Sequence, residues 1–340
     1  MRKILIFMLS AVFVLQACSK SSGKDSVSDA PTNLQVTAVV NPDNSGNVLF
    51  TATATNAVTY EINFGNGTFQ VVPSGVYTYK YLYSDIYSVT VIAKSSSGQS
   101  ITKTIEVIID LPLILFWSEE FNTDGAPDPS KWGYDLGAGG WGNSELQTYT
   151  NRPENAVVQG GVLKIKAIKE NISNSSYTSA RLLSLNKFAF TYGKVEVRAK
   201  IPAGVGTWPA IWMLGSNIAT TPWPGCGEID IMEHRGSELN KIFATLHYPG
   251  RSGGNANGGT IMLANATTDF HVYKLEWSRS SIKIYADNQL VHSVGNSLAI
   301  PFNRDFFFIL NMAIGGNFAG PVDPAFSNAT MEVDYMRVYK

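Results

Sequence analysis

Cysteine is nearly absent from this chain, with two thiols in 340 residues. A small scaffold stapled by disulfides is therefore excluded, and stability must come from packing. Charge is sparse as well. Charged residues make up 16% of the chain and the formal net charge is −1. With no Lys/Arg run, there is no footprint for nucleic acid or an anionic membrane. No glycine-rich loop is arranged to cradle phosphate, and no long amphipathic helical pattern is found. The longest apolar run, Ile4 to Leu15, is too short to cross a bilayer. What remains is 44% hydrophobic with 7 Trp and 15 Tyr. That composition can bury real cores and can present rings to a ligand. The length suits two domains.

The pattern is one of strands. Between residues 31 and 110, Val48–Ala54, Tyr60–Phe64 and Tyr87–Ala93 alternate in the β manner, and Gly65-Asn66-Gly67 signals a tight turn. Some 80 residues of this kind predict an immunoglobulin-like sandwich. Tyr77, Tyr79, Tyr81 and Tyr83 share parity, which suits either sandwich packing or a sugar-stacking platform; packing is the simpler expectation. Further along, Lys194, Glu196, Arg198 and Lys200 alternate with Val195, Val197, Ala199 and Ile201, as do Leu163, Ile165 and Ala167 with Lys164 and Lys166. Tyr273–Trp277 and Ile282–Tyr285 read as a hairpin, with another turn at Asp287-Asn288. Many strands over residues 111–340 imply two stacked antiparallel sheets, so the expected class is all-β.

The segment from Gly227 to His234 places Glu228, Asp230 and Glu233 among isoleucines. On a strand, Glu228 and Asp230 share one face, and Ile229 and Ile231 share the other. A strict two-residue alternation would send Glu233 inward, where an unpaired carboxylate is costly. One extra residue, most simply Met232, would form a β-bulge and return Glu233 to the acidic face. Ordinary acids on a solvated edge strand are the alternative. Upstream, Trp208 and Trp212 have equal parity and would lie on one strand face, where indoles either pack in a core or receive the flat faces of sugars. Acids and indoles on neighbouring strands favour a saccharide cleft, because paired carboxyls are what acetal hydrolysis needs. The residues alone do not say which acid plays which part.

From about Leu115 to Lys340 the chain resembles a bacterial glycoside hydrolase family 16 catalytic domain of the laminarinase-like type. The resemblance is carried by Glu-x-Asp-x-x-Glu at residues 228–233, Gly140–Thr150, Phe190–Lys200, Thr245–Tyr248, Asn311–Asn317 and Val333–Tyr339. It implies a β-jelly roll with a concave cleft, rimmed by loops such as Gly137–Asn143 and Gly250–Gly259. It also implies a retaining endo-β-glucanase acting on β-1,3-glucan, mixed-linkage β-1,3/1,4-glucan, or both. Glu228 would be the nucleophile, Glu233 the general acid/base and Asp230 their partner, with the two negative neighbours raising the pKa of Glu233. Trp208, Trp212, Asn143, Glu145 and His247 would line the cleft. No catalytic cofactor is implied, whereas a structural calcium ion is, at Glu120, Gly161 and Asp334. Laminarinases commonly carry Trp where this chain has Phe318, a departure that could reshape a subsite. A red-algal galactan hydrolase of the agarase or porphyranase type, and a non-catalytic glycan-binding lipoprotein, are the competing readings. Residues 31–110 resemble, more weakly, a polycystic-kidney-disease-type (PKD) domain.

The N-terminus reads as an address. Arg2 and Lys3, the apolar run and Leu15-Gln16-Ala17-Cys18 resemble the lipobox of a bacterial lipoprotein. Residues 1–17 would be removed as a signal peptide and Cys18 lipidated, with residues 18–30 serving as a flexible linker. Cys226 would then be the one remaining thiol, with no base-and-orienter set to make it catalytic. A monomer anchored to the outer membrane, facing outward, is the expected form.

Overall fold

The computed structural model describes residues 29–172 and 174–340. The expected signal segment, Cys18 and most of the linker lie outside the described residues. The chain divides into two compact units. Of the described residues, the smaller comprises those from 29 to Val39, Leu49–Thr78 and Ser88–Ile105, and the larger comprises Val40–Val48, Tyr79–Tyr87 and Glu106–Lys340. The last break falls after Ile105, and two short earlier segments group with the larger unit.

The N-terminal strands form two sheets. One holds Thr32–Val40, Asn47–Thr55 and Val76–Lys80; the other orders Phe69–Val72, Thr59–Asn63, Asp85–Lys94 and Ser100–Ile109. Their alternating residues Val48, Phe50 and Ala52, and Tyr87, Val89, Val91 and Ala93, are buried, as a small two-layer sandwich requires. Tyr77 packs on Phe64, and Tyr81 packs on Tyr79 and Tyr87. Tyr77, Tyr79 and Tyr81 therefore serve packing, as their parity allowed.

The larger unit stacks a ten-stranded and a seven-stranded sheet. Strand Gly193–Lys200 lies between Asn328–Tyr339 and His271–Trp277 in the first. The hairpin to Ser281–Ala286 begins with Trp277 opposite Ile282, as its alternation predicted. Asp287 and Asn288 take positive φ at the next turn. One pair departs from the antiparallel expectation: Gln147–Tyr149 runs parallel to Ser175–Ser179. The excursion between them, through Ala156–Val158 and Leu163–Ile172, supplies the crossover that a parallel pair needs. Among the described residues, helix is confined to Gly316–Ala319 and two 3₁₀ turns, and no helix is long and apolar enough to cross a membrane.

The seven-stranded sheet positions the site. Its order runs Asn257–Met262, Lys241–His247, Glu228–His234, Thr207–Gly215, Phe306–Ile314, Arg181–Leu183 and Gly133–Asp135. One face packs on the ten-stranded sheet through Ile211, Met213, Ile229, Ile231, Leu246, Phe308 and Leu310, meeting Val195, Val197, Leu275 and Val333 in a single core. The other face carries Trp208, Trp212, Glu228, Asp230, Thr245, His247 and Asn311, which line a cavity of about 760 Å³. Phe306–Ile314 is buried along its whole length, because it has covered faces on both sides. Phe308 is fully buried and packs against Trp117, Phe188 and Phe190. Truncating Phe308 to Ala should destabilise the larger unit by roughly 3–5 kcal/mol. All seven tryptophans lie in residues 111–340, so the intrinsic tryptophan signal in a urea titration reads that unit alone.

Candidate active site

The acidic strand is bulged where the alternation demanded. Against Thr207–Gly215, Asp230 faces Trp212, Met232 faces Ile211 and Glu233 faces Ala210. Ile231 is the residue skipped on that side, so the irregularity centres on Ile231–Met232 rather than on Met232 alone. On the other side the register shifts in the same interval, with Asp230 opposite Thr245 and Glu233 opposite Phe243. Ile231 and Met232 are both fully buried in the core. The two apolar side chains thus take consecutive inward positions, and Glu233 is turned back into the cavity.

Each carboxyl has distinct partners. Glu233 accepts from Trp208 Nε1 at 3.0 Å and from Thr245 Oγ1 at 3.2 Å. Glu228 accepts from Trp223 Nε1 at 2.7 Å. His247 Nδ1 accepts from the Gly253 amide at 3.1 Å, so the ring proton sits on Nε2. That nitrogen lies 3.2 Å from Asp230 Oδ2 and 3.8 Å from Glu228 Oε1. The Asp230 oxygen makes no aligned hydrogen bond there, so the contact is electrostatic. Glu228, Asp230 and His247 bring ligand atoms within 4.8 Å of one another.

Electrostatics follow from crowding. Burial raises the pKa of Glu228 well above the carboxylate range, with the Asp230 charge adding to it. Asp230 is raised well above its range too, by burial first and then by Glu233, while a hydrogen bond with Glu228 works the other way. Glu233 is also raised. The direction matches expectation, but the leading cause is burial rather than the neighbours' charges; His247, Trp208, Thr245 and Arg235 pull it back. Three buried carboxyls crowded together oppose full ionisation, so the cluster holds protons more tightly than isolated carboxyls do.

The remaining predicted residues line the same cavity: Trp208, Trp212, Asn143, Glu145 and His247. Both expected rims contribute, through Trp141-Gly142-Asn143 and Gly253-Gly254. Glu145 is held by Gln147, Tyr149 and, more loosely, Asn143. Trp212 donates to Asn311 at 2.7 Å. Cys226 is buried and free, and burial pushes its thiol pKa up, which suits packing.

The profile of glycosyl hydrolases family 16 matches residues 143–337. This span includes the bulged strand. The chain belongs to that family. A second profile, beta-glucan synthesis-associated protein SKN1/KRE6/Sbg1, matches residues 55–226 and stops short of the acids. The chain is 45% identical over 242 residues to a beta-glucanase of Rhodothermus marinus, covering 66% of this chain and 85% of that one. The structure of the laminarinase from Rhodothermus marinus superposes with TM-score 0.65 at 44% identity, over 67% of this chain and 98% of that one. A LamA variant from Z. galactanivorans, in complex with laminaritriose and laminaritetraose, gives TM-score 0.62 at 43% identity over 66% and 98%. The protein is a glycoside hydrolase with the jelly-roll fold of these relatives.

The calcium expectation does not fit the residues as they stand. Both Glu120 oxygens are taken by Arg337, at 2.9 and 2.8 Å. Asp334 is paired with Arg198, and Gly161, expected to supply a backbone carbonyl, takes positive φ in its turn. Guanidinium groups neutralise the two carboxylates, which are therefore not free for a cation. Sequence reasoning also missed cleft residues. Trp223 belongs to a Pro-flanked loop whose sequence gave no sign that it reaches Glu228. Arg181 stacks between Trp141 and Trp212, at 4.9 and 4.8 Å, with Asp135 at 3.0 Å. Arg235 stacks on Phe318 and Phe243. The near-neutral overall charge concealed both arginines.

A carboxyl whose pKa is higher folded than unfolded binds its proton more tightly in the native state. Stability then falls as pH rises from the ordinary carboxylate pKa through the raised one. Asp230→Asn or Glu228→Gln should therefore melt above the wild type at pH 8, with the gain shrinking toward pH 4. Differential scanning calorimetry at the two pH values checks this. A gain independent of pH would contradict the electrostatic strain.

Proposed function

We propose that this chain is a retaining endo-β-glucanase that hydrolyses β-1,3-linked glucan, mixed-linkage β-1,3/1,4-glucan, or both. The observation that carries the reading is the convergence of Glu228, Asp230 and Glu233 on one tryptophan-walled cavity, supported by laminarinase relatives covered almost end to end.

Glu228 is the nucleophile. The Trp223 hydrogen bond and the proximity of His247 favour its charge and fix its orientation. Its carboxylate attacks the anomeric carbon while Glu233, held by Trp208 and Thr245, passes its proton to the departing glycosidic oxygen. A glycosyl ester of Glu228 results and the first product leaves. Esterification removes the charge of Glu228, so Glu233, now ionised, serves as base. It takes a proton from water, the water oxygen bonds the anomeric carbon, and the ester bond breaks. Asp230 lies between the two, 3.2 Å from His247 Nε2, and its hydrogen bond with Glu228 favours its own ionised form. The indoles of Trp208 and Trp212 give apolar faces to the sugar rings.

No observation favours a silent binder, since all three acids are in place. A red-algal sulfated galactan would want a strongly basic cleft; of the two arginines lining this one, Arg181 is offset by Asp135, which leaves Arg235 alone. Reducing-end release on laminarin, barley glucan and agarose tests the reading. Turnover of one or both glucans is expected, reduced about a thousand-fold or more in Glu228→Gln. Activity confined to agarose would overturn it.

The N-terminal sandwich is proposed as a PKD-type spacer, and Cys18 as the lipid attachment that holds a monomer at the outer-membrane surface. Protease treatment of intact cells should strip the enzyme from wild type. Cys18→Ala should leave the membrane fraction. Protection of the wild-type enzyme from the protease would place it on the inner face instead.

A further inference from the structure

Beyond Glu233 the cavity continues over an aromatic shelf. Phe318 lies 4.8 Å from Trp208 and 5.1 Å from Phe243, ring centre to ring centre. The Arg235 guanidinium sits over both phenyl faces, 4.1 Å from Phe318 and 4.8 Å from Phe243. Its backbone is pinned by the next residue. Gly236 donates to Thr207 O at 2.9 Å, and a Cβ there would meet Gly204 O at 1.9 Å. A cation clamped by two π faces on a fixed backbone holds one position.

That cation is under-neutralised. Its acidic neighbour, Glu238, lies 3.8 Å away, beyond hydrogen-bond reach. The other Glu238 oxygen takes Lys241 at 3.2 Å. Arg235 Nε is buried without a hydrogen-bond partner, while about a third of the side chain remains open to the cavity, at 36% exposure. Open guanidinium donors beside an aromatic rim are complementary to a sugar ring, whose oxygens accept from the guanidinium while its C–H edge lies along the rim.

We propose that Arg235 is a specificity-determining residue. It grips the sugar unit that reaches the rim of the Phe318 shelf and so directs the enzyme toward chains long enough to extend there. The inference rests on the β-glucanase reading. Its positive charge also favours ionised Glu233, which ties the shelf to the acid/base.

The test is steady-state kinetics of wild type, Arg235→Met and Arg235→Lys on β-1,3-gluco-oligosaccharides of increasing length. Methionine keeps an apolar stem over the phenyl rings and removes only the donors and charge. Arg235→Met should raise KM roughly ten-fold on the longest substrates, change it little on the shortest one turned over, and leave kcat within about two-fold. Arg235→Lys should recover part of the loss, and Arg235→Met should shift the basic limb of the pH profile upward. A KM unchanged at every length, or raised equally at every length, would overturn the inference while leaving the β-glucanase reading intact. No turnover by wild type would overturn that reading and this inference with it.

Discussion

A single extra residue between Asp230 and Glu233 decides where the third carboxyl goes. A strand alternates strictly, so without the bulge Glu233 would join Ile229 and Ile231 in the core, where an unpaired carboxyl is costly. With Ile231 skipped by its neighbour's register, Ile231 and Met232 both turn inward, and Glu233 emerges on the cavity side. The arrangement is stabilised by the core it adjoins. Two consecutive apolar side chains find buried positions between the sheets, which offsets the ladder bonds lost at the bulge. Packing on one face thereby sets the chemistry on the other.

The second constraint is the mutual repulsion of three buried acids. Each is raised above its usual range, chiefly by burial. The site answers with directed donors, Trp223 on Glu228 and Trp208 with Thr245 on Glu233, while His247 lies beside Asp230. Indole donors have a further consequence. The same rings that orient the carboxyls wall the cavity, so substrate stacking and acid orientation depend on the same side chains. Two arginines stacked on aromatics extend that pattern along the cleft, one on the Trp141 and Trp212 rings and one on Phe318.

Much of this was legible in the residues, and the rest was concealed for identifiable reasons. Strands announce themselves by alternation, and the hairpin from His271 to Ala286 followed its pattern closely. The bulge was readable because burying a third acid carries a large penalty; its centre was misplaced slightly because Ile231 and Met232 are equally apolar. The parallel pair at Gln147–Tyr149 was not readable, since strands of three residues carry almost no periodic signal. The calcium set failed because Glu120 and Asp334 meet arginines from elsewhere in the chain, and sequence does not reveal such pairings. Trp223, Arg181 and Arg235 reach the site from a loop, a short strand and a strand end. Their contribution depends on tertiary placement rather than on local pattern.

The most direct measurement is the anomeric configuration of the first reducing end released, followed by proton NMR before mutarotation. Glu228 and Glu233 open into one cavity from one strand face, and double displacement through Glu228 predicts the β-anomer. Release of the α-anomer would mean that water attacks directly across a wider gap, and the double displacement through Glu228 would be wrong.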